Sequence, residues 1–170
     1  MRLMLWPGLT ALLLAVCGCA GYHLGPTNGQ PASARSVQIN PFQNQTIEPR
    51  LADAVSHALR KQIQQDGTFK LNTRNDGDII VSGTIVSYDR HAVSFRPRDA
   101  LSPLDLRVTM RAHVTARERI SGKVLFERDV SGHSEVRSGS DLISAERQAL
   151  PLVAERLAIN ATALLVDGTW

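Results

Sequence analysis

Residues 104–117, LDLRVTMRAHVTAR, carry the clearest period in the chain. Leu104, Leu106, Val108, Met110, Ala112, Val114 and Ala116 alternate with Asp105, Arg107, Thr109, Arg111, His113, Thr115 and Arg117. A period of two places one set on a core face and the other in water, so the stretch reads as a β-strand of a half-solvated antiparallel sheet. On its N-terminal side, RPRDALSPLD (96–105) holds two prolines and four charges and reads as a long hairpin tip. Before that tip, IIVSGTIVSYDRHAVSF (79–95) has Ile79, Val81, Gly83 and Ile85 on one face, with Ile80, Val86 and Tyr88 on the other. Apolar residues on both faces predict an inner strand, or one whose second face meets a partner. After a turn at ERISGKVLF, residues Val124, Phe126 and Val130 predict a last strand, and SGHSEVRSGS (131–140) loosens the chain.

Two helical patterns flank these strands. NQTIEPRLADAVSHALRKQIQQDG (44–67) places Leu51, Ala54, Val55, Ala58, Leu59 and Ile63 on one stripe. Thr46 is the candidate cap, Glu48 the first-turn acid and Gly67 the stop. His57 falls off the stripe and reads as a solvated helix residue. Asp141–Val166 is the second helix, with Leu142, Ala149, Leu150, Val153, Leu157, Ala161 and Leu164 on its stripe and Gly168 as its stop. Pro151 lies inside it and is expected to kink or split it. SVQINPF (36–42) and TFKLNT (68–73) alternate as short strands, Pro41 ending the first. The order β-α-β-β-β-β-α predicts an α+β two-layer sandwich: a small mixed β-sheet of four to five strands with both helices packed on one face. If the first strand and the one after the helix are parallel neighbours, their crossover is right-handed.

The N-terminus is of a different kind. Arg2, the apolar run LMLWPGLTALLLAV (3–16) and small residues after it form a secretory signal, too short for a comfortable membrane span. Both cysteines follow, as Val16-Cys17-Gly18-Cys19. A disulfide across one residue closes almost no loop and is strained. The four residues instead look like a bacterial lipobox: Val16 and Gly18 suit Cys19 as the modified residue, whereas Cys17 has bulky Val16 beside it. The expected organisation is a signal peptide at 1–18, an acylated Gly/Pro/Ser-rich tether at 19–35 and one domain at 36–170. A diacylglycerol and a further acyl chain on Cys19 supply the two apolar chains that stable anchoring needs.

Composition and motifs narrow the function. The whole chain has 170 residues and a formal charge of +3. So small a charge with only four Phe gives no concentrated basic, aromatic surface for nucleic acid. His23, His57, His91, His113 and His133 show no metal-binding spacing, and no nucleophile elbow, Walker loop or dinucleotide fingerprint occurs. With both thiols at the processed end, no Cys-His nucleophile and no cofactor is expected. Arg107, Arg111 and Arg117 lie on the outer face of one strand, and Arg90, Arg96 and Arg98 on or beside the adjoining tip. Together they predict a cationic patch, since the Arg fork matches phosphate and carboxylate; the alternative is an ordinary solvated sheet face.

The stretches CAGYHL (19–24), VQINPFQNQTIEPRLADAVSHALRKQIQQDGTF (37–69), DIIVSGTIVSY (78–88) and SGKVLF (121–126), with the closing helix, resemble the LptE lipopolysaccharide-assembly lipoproteins. The most specific part is FQNQTIEPRL (42–51), where Asn44, Thr46, Pro49 and Leu51 fit the family's turn and helix start. Ala20 departs from the family's usual Cys-Gly-Tyr. The resemblance implies an outer-membrane lipoprotein that plugs an LptD-type β-barrel and contacts lipopolysaccharide without catalysis. The same V-x-I-x-P-F-x-N-x-T pattern is similar to the penicillin-binding-protein activator LpoB and the secretion-channel subunit CsgG. LpoB usually carries a longer linker, and CsgG extra membrane hairpins, neither of which this chain has.

Overall fold

The computed structural model describes residues 34–97, 99–137 and 142–168. Cys17, Cys19 and Arg98 lie outside them, as does the side chain of Arg96. In chain order the elements are β1 (Ser36–Ile39), β2 (Gln43–Asn44), α1 (Leu51–Asp66), β3 (Lys70–Asn72), β4 (Ile79–Arg96), β5 (Asp99–Glu118), β6 (Val124–Arg137) and α2 (Leu142–Asp167). They form one mixed sheet in the order β3-β1-β4-β5-β6, with β2 also on β4. The α+β sandwich is as expected, with one strand more than the sequence period suggested. β1 is parallel to both β3 and β4, while β4, β5 and β6 are antiparallel. Pro41 interrupts what is in effect a single row along β4: Asn40 N–H donates to Val81 O at 2.9 Å and Gln45 N–H to Ile85 O at 3.0 Å.

β5 is built as its period requires. Leu106, Val108, Met110, Ala112, Val114 and Ala116 are buried toward the helices, where they meet Leu51, Val55, Leu59 and Ile63 of α1 and Val153, Leu157, Ala158 and Ala161 of α2. Helix α2 is long and apolar enough to cross a bilayer, yet its buried stripe makes it the core helix of this layer.

Four local expectations are corrected. The tip read at 96–105 is much shorter, because β5 already begins at Asp99 and pairs there with Arg96. β6 does not loosen at 131 but runs to Arg137, since Gly132, Ser134 and Val136 pair with Met110, Val108 and Leu106. Pro151 does not split α2, which continues through it; the residue is exposed, so water can reach the Arg147 carbonyl that loses its helical donor. Thr46 does not cap α1. Arg50, at φ 66°, precedes the helix with no side-chain cap, while Thr46 belongs to the turn before it. There Asn44 Oδ1 accepts from Thr46 N–H and Oγ1–H at 3.0 and 2.8 Å, and Asn44 Nδ2 donates to Glu48 O at 2.6 Å.

A β-bulge decides which way β4 presents its upper half. Up to Ile85, odd-numbered residues face the helices; the register then slips between Ile85 and Ser87, and Tyr88, Arg90 and Ala92 stand opposite Met110, Val108 and Leu106. The extra residue, Val86, is left exposed.

Candidate functional site

The predicted arginines sit on two faces of the sheet. On the outer face, Arg107 donates through Nε and Nη2 to Glu135 Oε1 at 2.9 and 2.5 Å. Arg111 stands between Ser87 and Ser131 and has no ion pair among the described residues. Arg117 lies between Ile80 and Val124 at the other end of β5. Between these arginines, His113 is bridged by two β6 carboxylates, Nε2 to Glu127 at 3.0 Å and Nδ1 to Asp129 at 2.8 Å. Hydrogen bonds to Glu127 and then Asp129 raise its pKa above the ordinary 6.5. The outer face is therefore one of mixed charge, with Arg111 and Arg117 in no ion pair among the described residues.

Arg90 is not on that face. The bulge turns it toward the helices, where its guanidinium meets Glu48 Oε2 at 2.5 Å and Glu146 Oε1, and lies 5.1 Å from the Tyr88 ring centroid. Burial opposes its charge, but Glu146 and Glu48 outweigh it and raise the pKa. Burial, then the charge of Glu146, likewise pushes the Tyr88 phenol up. Arg90 thus ties β4 to the turn before α1 and to the first turns of α2. Arg90, expected on or beside the tip, is set by the bulge on the opposite face from Arg107 and Arg111.

Nothing in the described part converges for catalysis. A hollow of about 200 Å³ between the helices is lined by Ala54, His57, Lys61, Pro151 and Glu155 among others. His57 there has no hydrogen-bonded acid or base partner among the described residues. No group of three His, Cys, Asp or Glu could hold a metal ion among the described residues. Both nitrogens of His113 are already engaged by carboxylates, so neither is free to serve as a base toward a substrate.

What the sequence reading missed are polar positions inside regular elements. Asn160 of α2 donates through Nδ2 to Ser131 O of β6 at 2.8 Å. Gly132 lies under α2 so closely that a Cβ there would come within 2.5 Å of Leu157 N and Val153 O. Glycine inside a strand is the signal that marks such a close approach.

The family model for LptE, lipopolysaccharide-assembly, matches residues 34–165. The chain belongs to the LptE family. Its fold is shared with solved proteins of low identity. Protein XCC0632 from Xanthomonas campestris is 8% identical, with a TM-score of 0.61 over 87% of this chain and 93% of that one. Hypothetical protein CT253 from Chlamydia trachomatis is 10% identical, with a TM-score of 0.58 over 79% and 98%. A putative lipoprotein from Caulobacter crescentus is 11% identical, with a TM-score of 0.52 over 75% and 88%. No curated protein matches the chain. Membership places this LptE-family chain among lipopolysaccharide-assembly proteins, and the long β4–β5–β6 ribbon backed by two helices is the form that membership takes here.

Proposed function

We propose that this protein is a non-catalytic outer-membrane lipoprotein, acylated on Cys19, that plugs an LptD-type β-barrel, helps it assemble and contacts lipopolysaccharide. The observation that carries the reading is the family match across the whole described domain. The lipobox at Val16–Cys19 supports attachment to a membrane, and Ala20 after the cysteine is not the Asp that commonly retains lipoproteins at the inner membrane. Lipopolysaccharide phosphates meet Arg107 and Arg111 on the outer face. Exposed ion pairs contribute about 0–1 kcal/mol, so Arg107 exchanges Glu135 for a phosphate at little cost. Arg90, Arg96 and Arg98 complete the proposed set, with Arg90 the least available because Glu48 and Glu146 already hold it.

Affinity purification of the full chain from envelope membranes tests the reading. A stoichiometric large β-barrel is expected; recovery of a peptidoglycan synthase or of a homo-oligomeric ring instead would refute it. Reversing Arg107 and Arg111 to Glu is expected to weaken lipopolysaccharide binding at least tenfold, and unchanged affinity would remove those residues from the contact. Cys19→Ala is expected to abolish lipid labelling, whereas Cys17→Ala leaves it intact.

A further inference from the structure

Among the described residues the sheet has two free long edges, and they are finished differently. Along β6 the ladder to β5 uses the backbone of the even-numbered residues, so Glu127, Asp129, Ser131, His133 and Glu135 face outward along the edge. Four of these five carry charged or titratable side chains, and the carbonyl of the fifth, Ser131, is taken by Asn160. Charged residues and a covering group are the means by which natural sheets close an edge against pairing.

The opposite edge belongs to β4. The row made by β1 and β2 covers it only as far as Ile85, whereas β4 continues to Arg96. Past the bulge, Ser87, Asp89 and His91 stand opposite Arg111, Thr109 and Arg107, the residues whose backbone faces β4. The N–H and C=O of Tyr88, Arg90 and Ala92 therefore point to the open side, and the one charged side chain among the three, Arg90, is drawn toward the helices by Glu48 and Glu146. Around them are exposed Val86, Val93 and Phe95, and Ile47 just beyond β2. One edge is closed by charge and by Asn160; the other is left open by the described residues and rimmed with apolar side chains.

We propose that the upper half of β4, from Tyr88 to Ala92, accepts an added strand: an extended, alternately apolar segment of a partner polypeptide that prolongs the row begun by β1 and β2. Evenly spaced backbone donors and acceptors select another extended backbone, and the apolar rim selects its side chains. That the donor is the barrel rests on the function proposed above.

Proline separates this edge from the β5 ladder. Ala92→Pro removes an N–H that faces the open side, a position where a strand tolerates proline, whereas His91→Pro strikes the ladder itself. In the full-length lipoprotein expressed with its barrel, Ala92→Pro is expected to keep the melting midpoint within about 3 °C while barrel co-purification falls at least tenfold. A photo-cross-linker at Ala92 is expected to yield an adduct mapping to one extended segment of the barrel. Normal co-purification of Ala92→Pro without an adduct overturns the proposal and leaves the barrel reading standing. An adduct to a second copy of this chain also overturns it. Absence of any barrel with the wild type overturns both.

Discussion

Gly132 sits where α2 crosses β6, with the helix backbone where a side chain would be. Gly132→Ala must push the helix off the sheet, and overpacking of this kind costs about 1–3 kcal/mol. Urea denaturation should show the loss, and an unchanged midpoint would mean that α2 sits further from β6 than described. Asn44 makes three hydrogen bonds within its turn. Asn44→Ala should cost about 1–2 kcal/mol, since exposed bonds contribute about 0.5–1.5 kcal/mol each and do not add fully. His113 has a folded pKa above its ordinary 6.5. Its stabilising contribution is therefore complete below that value and is lost as pH rises through the raised folded pKa. Melting scans from pH 5 to pH 8 should show the wild type losing more stability than His113→Gln; parallel curves would mean that the two carboxylates do not act on it.

At the scale of elements, Val86 shows what the sequence period can and cannot reveal. Alternation from Leu106 to Ala116 is enough to place every residue of that part of β5 on its face, because no β5 residue is skipped there, whereas Leu104, passed over in the pairing with β4, is only half-buried. In β4 the same rule, carried past Val86, sets Tyr88 on the face away from the helices, whereas the bulge turns it toward them. A bulge has no local signature when both faces carry apolar residues. Deleting Val86, the extra residue, should remove the bulge and still leave Tyr88 and Arg90 opposite Met110 and Val108, so Arg90 keeps Glu48 and Glu146 and the loss of stability stays within about 0.5–3 kcal/mol. Stability equal to the wild type would show that the bulge is dispensable. The last strand was under-read for a related reason. Ser131, Gly132, His133 and Ser134 look like loop residues, yet they are the small and polar ones that a helix-covered edge strand requires. Pro151, at an exposed position, does not break the helix as its presence predicts. Pro151→Ala restores a helical donor and should stabilise α2 by about 1–3 kcal/mol if backbone strain remains there; no gain in the melting midpoint would mean that hydration of the Arg147 carbonyl already compensates.

The whole molecule is one core between a sheet and two helices, closed by elements that all lie between Ser36 and Asp167. A chain beginning at residue 34 should accordingly melt within about 3 °C of the full-length chain, a difference a single exposed contact would produce. At the lower end of the sheet, Arg35 pairs with Glu118 at 2.6 Å and Ser36 holds Asp78 through its N–H at 2.8 Å and its hydroxyl at 2.7 Å. β4 starts beside this end and climbs to Arg96. At about 3.3 Å per residue, the strand from Ile79 to Phe95 spans roughly 50 Å. The hydrocarbon core of a bilayer is about 30 Å thick. One hairpin thus carries its far end farther from Arg35 than a bilayer's apolar core is thick.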